Sequence, residues 1–507
     1  MVRNENLATF LRCIVEELNG AVREELQTDH TRNVIDSVVT VLGRLIADAG
    51  PGKEIASARL GEWDSIASRL NDLLAAGSGE RNQQKQSPRT ESVITEPMTA
   101  LDNSTAVIQN RLLEPGVFDY LVSSLANGDA AAEQWLADTS CSLNDLLQNM
   151  ENSFYRPSGR KGVLSVTDNL DLLLQKLSKY LCDRYPELPE NPIETSHVVP
   201  GGQIKRTVIL KLVENDVLPL RLVLRQDMDM TYTGTTVTDE FVIIKRVFDL
   251  GLPVPEPILV EPNPDCLGSG GCFMLMTEVE DALPAGTYFG EDRAYMGDNI
   301  GPELAREVAA AVANLHGQTL DPDPEAGKLA QQKQLEELQQ VKQSWRSHTG
   351  GKPPFSLSVD LGLLWLEAYP LDEGRPLCHL HGDLGSHNMM SRDGHLAALI
   401  DWELAGMGDP ARDLAQLKVM LLEFIIPWDE FKKAYIQAGG PAAACDEHAI
   451  AYFSIWAFVY HSNLAINLWE RFNAGVRDDA AAASVASHSV ERLALYEARA
   501  LANTMKG

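Results

Sequence analysis

A tight reversal of the chain at Asp393-Gly394 constrains this sequence more than any other feature. Asp-Gly is a strong signal for a two-residue β-turn, and apolar residues flank it at Met389-Met390 and at Leu396–Ile400. The pattern predicts a β-hairpin. Its consequence is that the polar residues just before the first strand lie beside those just after the second strand.

The polar residues at the two ends of this hairpin are of types that carry out chemistry. The segment H-G-D-L-G-S-H-N contains Asp383 and Asn388, and I-D-W-E contains Asp401. The hairpin is expected to set Asn388 opposite residues near Leu399 and to bring Asp401 alongside the Asp383–Asn388 loop. One carboxylate can then accept a proton, while a carboxamide and a second carboxylate offer oxygen ligands to Mg²⁺. This combination predicts phosphoryl transfer.

These motifs resemble those of the aminoglycoside phosphotransferase and choline kinase family, which are small-molecule kinases with a protein-kinase-like fold. The family pattern H-G-D-x-x-x-x-N occurs at His381–Asn388, I-D-W/F-E at Ile400–Glu403, and G-D-P-x-x-D-L-A at Gly408–Ala415. The resemblance covers about residues 168–507. It extends to the kinase-like domain attached to some acyl-CoA dehydrogenases.

The resemblance implies an α+β fold with a small β-rich N-lobe and a helical C-lobe, and it implies ATP and Mg²⁺ as cofactors. Asp383 is expected to be the catalytic residue, as base or orienter of the acceptor hydroxyl. Asn388 and Asp401 are the expected metal ligands. Arg225 is expected to contact the nucleotide phosphates and to pair with Glu240.

Further nucleotide contacts are expected around the N-lobe strands. Gly201 and Gly202 are predicted to form a turn over the phosphates. The family often has Ser and Asn two and three residues later, where this chain has Ile204 and Lys205, so Lys205 is a candidate phosphate contact. The segment around Thr277 and Val279 is predicted to link the lobes and to face adenine.

The acceptor is expected to be a small molecule with a hydroxyl group, such as an aminoglycoside, an amino alcohol or a hydroxyacyl compound. Candidate substrate-binding residues are Glu403, Trp456, Tyr460, Trp469 and Glu470. An aromatic stripe at helical spacing is more often core than pocket, so both interpretations stay open. G-L-P-V-P-E-P at Gly251–Pro257 resembles the acyl-CoA dehydrogenase-linked branch.

Composition excludes some classes of function. The chain has 72 acidic and 43 basic residues, a net charge of -29, so non-specific binding to nucleic acid is not expected. Seven scattered cysteines without a C-x-x-C pair are typical of a reducing compartment. No stretch of about 18 uncharged apolar residues is present, so no membrane partner is expected. We expect a cytoplasmic protein.

Three regions are predicted along the chain. Residues 1–160 form a helical N-terminal domain without assignable chemistry, with a flexible segment at about 77–97, and homodimerisation or regulation is its expected role. Residues 168–280 form the nucleotide-binding N-lobe. Residues 281–507 form the C-lobe, which is expected to be mainly helical apart from the catalytic hairpin.

The N-lobe is predicted from its changing hydrophobic period. Thr207–Val213 and Leu220–Arg225 are expected to pair as strands, and Asp239–Leu250 to form an amphipathic helix. Strands near Ile258–Val260 and Phe273–Thr277 are expected to follow.

Two other functions remain open at the level of sequence. A nucleotide-binding pseudokinase is one, and a metallohydrolase that uses His379, His381 and Asp383 is the other. The metallohydrolase motif needs a histidine directly after the aspartate, where this chain has Leu384. In the kinase interpretation His381 braces the loop.

Three further residues are given structural roles in the kinase interpretation. His316 is expected to pack under the active site. Asp409 and Asp413 are expected to hold the helix that follows the metal loop, and Asp413 to bond backbone amides of the catalytic loop.

Overall fold

The computed structural model describes residues 59–77, 108–153, 170–199, 205–227, 235–267, 271–286, 301–317, 324–347, 357–372, 374–420, 425–473 and 495–506, with a few single residues besides. The chain forms two compact units. The helical unit comprises residues 1–162, 337–371 and 454–507, and the mixed unit comprises residues 163–336 and 372–453.

Helices and short strands follow one another in the described ranges. The helices are α1 (Leu60–Gly77), α2 (Val117–Ala126), α3 (Ala130–Ser153), α4 (Leu170–Arg184), α5 (Val237–Asp249), α6 (Pro302–Gly317), α7 (Pro324–Ser347), α8 (Leu357–Ala368), α9 (Ala411–Met420), α10 (Trp428–Gln437) and α11 (Glu447–Asn473). The strands are β1 (Ile193–Val198), β2 (Lys205–Leu212), β3 (Arg221–Asp227), β4 (Pro257–Glu261), β5 (Phe273–Thr277), β6 (Leu283–Pro284), β7 (Cys378–Leu380), β8 (Met389–Arg392), β9 (His395–Leu399) and β10 (Gly406–Gly408). The predicted α+β fold class is confirmed.

An antiparallel five-stranded sheet with the order β1-β2-β3-β5-β4 opens the mixed unit. Alternate residues of a strand face opposite sides of a sheet. Leu210 on β2 and Leu222 and Leu224 on β3 are fully buried in a core shared with Leu177 and Leu181 of α4. Lys205 and Arg225 lie on the other side of these two strands.

Helix α5 begins and ends where its sequence contains capping residues. Thr236 and Asp239 form a capping box at the start, and Gly251 follows the C-cap residue with φ +78°. Both carboxylate oxygens of Asp227, the last residue of β3, accept the Val237 N–H at 3.1 and 3.2 Å. This bond joins the helix to the end of the strand that precedes it.

The catalytic hairpin forms as predicted. Met389 pairs with Leu399, and Asp393 and Gly394 have φ values of +50° and +81°, as a type I′ turn requires. The Ile400 N–H donates to the carbonyl oxygen of Asn388 at 2.9 Å. The backbones of the two polar segments are therefore hydrogen-bonded to each other.

The helical unit contains a core of large apolar side chains. Trp63 of α1 and Trp135 of α3 are almost completely buried. Nearly every residue of α8 is buried, as expected for a helix that is apolar on all sides. Asp360 of α8 accepts hydrogen bonds from Gln109 at 2.7 Å and from Trp345 at 2.9 Å.

The observed elements depart from the sequence interpretation in three places. Strand β1 was not predicted, and neither were the short strands β6, β7 and β10, which lie in a region after Ala282 that is mainly helical, as expected. The predicted flexible segment at about 77–97 and most of the first 58 residues lie outside the described residues. Residues 337–371 and 454–507 group with the N-terminal helices, so the three-region division stays a prediction.

One described helical segment, Glu447–Ile466, is long and apolar enough to span a membrane. Of its most apolar stretch, 67% is buried inside the protein. Core helices of soluble proteins pass the same length and composition test, so the segment is weak support for a membrane span.

Truncation of the sheet core tests this arrangement. Leu210→Ala should lower the free energy of unfolding by about 2–5 kcal/mol, because it leaves a cavity between the sheet and α4. Leu220→Ala is the control, since Leu220 is 44% exposed, and it should change stability by less than about 0.5 kcal/mol. Urea denaturation followed by circular dichroism measures both, and equal losses would contradict the described core.

Candidate active site

The loop after β7 is held by backbone hydrogen bonds to one carboxylate. Asp413 of α9 accepts the His381 N–H at 2.8 Å and the Gly382 N–H at 2.9 Å. Gly382 has φ +84°, and a Cβ atom there would overlap the carbonyl oxygen of Leu404. Only glycine therefore fits at this turn. The His381 side chain lies 3.0 Å from the carbonyl oxygen of Ile400, which is the bracing role predicted for it.

Asp383 lies at the end of this loop with both carboxylate oxygens engaged. Oδ1 accepts a hydrogen bond from Gln416 Nε2 at 2.5 Å, and Oδ2 accepts one from Asn388 Nδ2 at 2.9 Å. His387 Nε2 lies 3.5 Å from Oδ2. Because the nitrogen of the Asn388 carboxamide faces Asp383, its oxygen points the other way.

Asp401 follows β9 in an uncommon backbone conformation. Its φ of +66° is in the left-handed region, which Asp tolerates better than most residues but which still carries strain. Its side chain is 32% exposed, and Oδ1 accepts a hydrogen bond from Arg225 Nη2 at 2.9 Å. Asp401 is thus accessible and already paired with a cation.

A charge cluster of five residues links the sheet, α5 and the hairpin; it consists of Lys205, Arg225, Glu240, Asp401 and Glu403. Lys205 Nζ lies 2.8 Å from Glu240 Oε2 and 3.1 Å from Glu403 Oε2. Arg225 Nη2 lies 3.5 Å from Glu240 Oε2 and 4.0 Å from Glu403 Oε2. The Lys205 and Glu240 side chains are almost completely buried.

The register of β2 and β3 explains how the two cations meet. Lys205 is opposite Asp227, and Arg225 is opposite Thr207, so both cations project from the same side of the sheet, two positions apart. This is the side opposite to the apolar core. Glu240 is one of the buried residues of α5 and is within ion-pair distance of both cations.

Burial and charge set the protonation of this cluster. Burial raises the pKa of Glu403 to about 7, with the negative charge of Asp401 adding to the effect and Lys205 and Arg225 opposing it. Burial alone would lower the pKa of Arg225, but the carboxylates of Asp401, Glu240 and Glu403 outweigh it and raise the pKa above its usual value. Arg225 therefore stays charged.

The predicted pairing of Arg225 with Glu240 is found, with Arg225 Nη2 3.5 Å from Glu240 Oε2, but each residue has a nearer partner. Lys205 is the nearer partner of Glu240, at 2.8 against 3.5 Å, and Arg225 makes its shortest bond to Asp401. Glu403, expected near the substrate, forms an ion pair with Lys205. The sequence pattern missed these contacts because they join residues of different elements that are far apart along the chain.

The other predicted nucleotide contacts are only partly described. Gly201 and Gly202 lie outside the described residues. Thr277 ends β5, where its hydroxyl accepts the Glu256 N–H at 2.9 Å and its own N–H donates to the Glu256 carbonyl. Val279 follows in an irregular segment. Their contact with adenine stays a prediction.

The predicted pocket aromatics belong to a different part of the chain. Trp456 and Tyr460 lie on α11 within the helical unit, with ring centroids 5.9 Å apart. The side chains of Trp469 and Glu470 lie outside the described residues. Pocket lining by these four residues stays a prediction.

Two functional features were not anticipated from the motifs. Gln416 bonds Asp383, and Tyr435 lies 2.8 Å from His316 Nδ1, whose other ring nitrogen lies 3.2 Å from Asp413. Gln416 is three residues after Asp413, so helical spacing was the available signal.

The described donor atoms fit a magnesium ion. Asn388 and Asp401 offer one carboxamide oxygen and one carboxylate on hydrogen-bonded backbone segments, and Mg²⁺ typically takes few protein ligands and keeps water and phosphate oxygens. Within the described part of the chain, no group of three His, Cys, Asp or Glu side chains could hold a metal ion. His379, His381 and Asp383, the residues of the metallohydrolase interpretation, do not form such a group.

Comparison with known sequences decides the family. The family model of the phosphotransferase enzyme family (APH) matches residues 196–451, just over half of the chain. The chain belongs to the phosphotransferase enzyme family. The predicted enzyme class, a small-molecule phosphotransferase that acts on an alcohol group, agrees with this membership. No curated protein sequence gives a significant match.

The chain is also similar to several solved structures. They include the choline kinase LicA from Streptococcus pneumoniae (18% identity, 63% of this chain and 97% of that chain, TM-score 0.42) and a choline/ethanolamine kinase family protein from Mesorhizobium loti (17%, 65% and 99%, 0.41). The GDP complex of aminoglycoside 2′-phosphotransferase-IIIa is a third (15%, 64% and 98%, 0.42). Family membership rests on the sequence match and not on these weak structural similarities.

The charge cluster generates a stability prediction for this phosphotransferase. Lys205→Met should lower the free energy of unfolding by about 3–5 kcal/mol, because it leaves Glu240 and Glu403 without their nearest cation. The control is Lys211→Met on the same strand, where the ion pair with Glu194 is nearly half exposed and contributes less than about 1 kcal/mol. Equal denaturation midpoints for the two variants would contradict a buried role for Lys205.

Proposed function

We propose that this protein is an ATP- and Mg²⁺-dependent O-phosphotransferase that phosphorylates a hydroxyl group of a small molecule. The observation that carries the proposal is the convergence of Asp383, Asn388 and Asp401 at the base of one hairpin. Of the two cations of the charge cluster, Arg225 bonds Asp401, and Lys205 lies 3.1 Å from Glu403, two residues further along the chain. A proton acceptor, ligands for a hard cation and positive charge for phosphates are the parts that phosphoryl transfer needs.

The reaction assigns a role to each side chain. The acceptor hydroxyl donates its hydrogen bond to Asp383, which orients the oxygen in line with the γ-phosphorus and receives the proton. A bond forms between that oxygen and the phosphorus, and the bond from the phosphorus to the bridging β,γ-oxygen breaks, which releases ADP. Positioning supplies much of the acceleration, because the transition state needs alignment and charge neutralisation more than covalent help.

The charge cluster accounts for nucleotide handling. Magnesium bound to Asn388 and Asp401 would neutralise phosphate charge. Arg225 faces Asp401, and Lys205 lies on the neighbouring strand, so these two cations are the ones proposed to contact phosphate oxygens. Arg225 is suited to bidentate contacts and Lys205 to a point contact.

The acceptor class is inferred from related structures, from net charge and from one sequence segment. Related solved structures are named as choline kinases, aminoglycoside phosphotransferases and macrolide phosphotransferases, all of which point to hydroxyl-bearing small molecules. The net charge of -29 favours cationic acceptors by long-range attraction. Gly251–Pro257 favours a hydroxyacyl compound. A screen for ADP release against amino alcohols, aminoglycosides, macrolides and hydroxyacyl-CoAs distinguishes these classes.

Loss of the proposed base gives the most direct prediction on activity. Asp383→Asn should lower turnover by about 10²–10⁴-fold, since the amide cannot accept the proton. Asp393→Asn is the matched control, because Asp393 is exposed at the tip of the same hairpin and Asn tolerates its positive φ. The ADP-release assay measures both variants. Wild-type turnover in Asp383→Asn would refute the mechanism.

The metal ligands give a separate prediction. Asp401→Asn should raise the MgCl₂ concentration needed for half-maximal ADP release at least tenfold, because a neutral amide replaces the anionic ligand. The titration should leave Asp393→Asn at the wild-type value. An unchanged magnesium requirement in Asp401→Asn would remove Asp401 from the metal site.

A further inference from the structure

We propose that Gln416 is a positioning residue that fixes the Asp383 carboxylate for transfer; this inference rests on the proposed function. Gln416 lies beyond the end of the G-D-P-A-R-D-L-A motif and belongs to none of the segments that carry the family resemblance. Its side chain is only 8% exposed.

Helix α9 presents two side chains to the catalytic loop from one face. Asp413 and Gln416 are three residues apart, which places them side by side on a helix. Asp413 accepts the N–H groups of His381 and Gly382, and Gln416 Oε1 accepts the Leu384 N–H at 3.1 Å. Three amides of a four-residue stretch are therefore held by one helix.

The start of helix α9 is itself fixed. Asp409 Oδ1 accepts the Ala411 N–H at 2.9 Å, and the guanidinium of Arg375 bonds the same carboxylate. Arg375 also donates to the carbonyl oxygen of Ala443 at 2.8 Å. A helix anchored in this way is a rigid support, which a positioning residue needs.

The oxygen and the nitrogen of the Gln416 carboxamide form hydrogen bonds to different groups. Its oxygen holds the loop backbone at Leu384, and its nitrogen donates to Asp383 Oδ1 at 2.5 Å. Asn388 holds the other carboxylate oxygen, so the plane of the carboxylate is fixed from both sides. Each oxygen still has a lone pair for the acceptor proton.

Gln416 and Asn388 differ in one respect that matters for catalysis. Asn388 is a proposed metal ligand, so its bond to Asp383 is linked to metal binding. Gln416 is attached to α9 and the loop backbone, so it orients Asp383 whether or not the metal is bound. Orientation achieved before the reaction lowers the barrier, because little reorganisation remains.

Two substitutions separate positioning from a purely structural role. Gln416→Met keeps the volume and loses both hydrogen bonds. Gln416→Glu, assayed at pH 8, keeps an oxygen for the Leu384 N–H and loses the donor to Asp383. A structural role predicts weaker ADP binding together with the loss of turnover in the Met variant, whereas positioning predicts a loss confined to kcat.

The experiment measures kcat and KM for ATP with each acceptor of the panel and with water as the acceptor. The Kd of ADP is measured by calorimetry in the presence of MgCl₂. Both Gln416 variants should lose about 10–100-fold in kcat, as is usual for residues that support a reacting group. KM for ATP and the Kd of ADP should stay within about twofold of wild type. Gln437→Met, at an exposed position of α10, is the control and should leave all three constants unchanged.

The outcomes distinguish failure of this inference from failure of the proposed function. If the wild-type protein releases no ADP with any acceptor, or if Asp383→Asn keeps full turnover, the proposed function fails. If Asp383→Asn is inactive while Gln416→Met or Gln416→Glu keeps wild-type kcat, the positioning role is refuted. If neither Gln416 variant binds ADP, the residue is structural and the proposal is equally overturned.

Discussion

The bond between Arg225 and Asp401 is the contact on which the site depends, because it joins the sheet to the catalytic hairpin. Arg225 comes from β3 and Asp401 from the end of β9, and the two atoms are 2.9 Å apart. Around this bond, Lys205, Glu240 and Glu403 complete a network of two cations and three carboxylates. The excess of one carboxylate, with Asp401 partly exposed, leaves a site suited to a divalent cation.

Such a network contributes little to stability for its own sake. Desolvation of several charges offsets much of their attraction, and apolar residues of similar volume often stabilise a core as well. Buried charged residues of this kind are therefore expected where they bind a charged ligand. Asp401 and Gly382 both have positive φ values, which are conformationally unfavourable for most residues. Both residues lie at the site.

The parts of the site that could be predicted from the sequence are those whose residues are close together along the chain. The Asp-Gly turn fixed the pairing of Met389 with Leu399, and with it the approach of Asn388 to the Asp401 segment. The pairing of Lys205 with Glu240 was missed, because it joins a strand and a helix whose residues are 35 positions apart along the chain. Grouping of distant helical segments into one unit depends on tertiary packing, which no local pattern records.

A crystal structure with Mg²⁺ and a non-hydrolysable ATP analogue tests the central claim most directly. The account predicts a metal ion about 2.0–2.1 Å from an oxygen of Asn388 and an oxygen of Asp401, since these are normal magnesium distances. It also predicts that Asp383 faces the γ-phosphate. A nucleotide bound elsewhere, or a metal ion that contacts neither residue, would contradict the account.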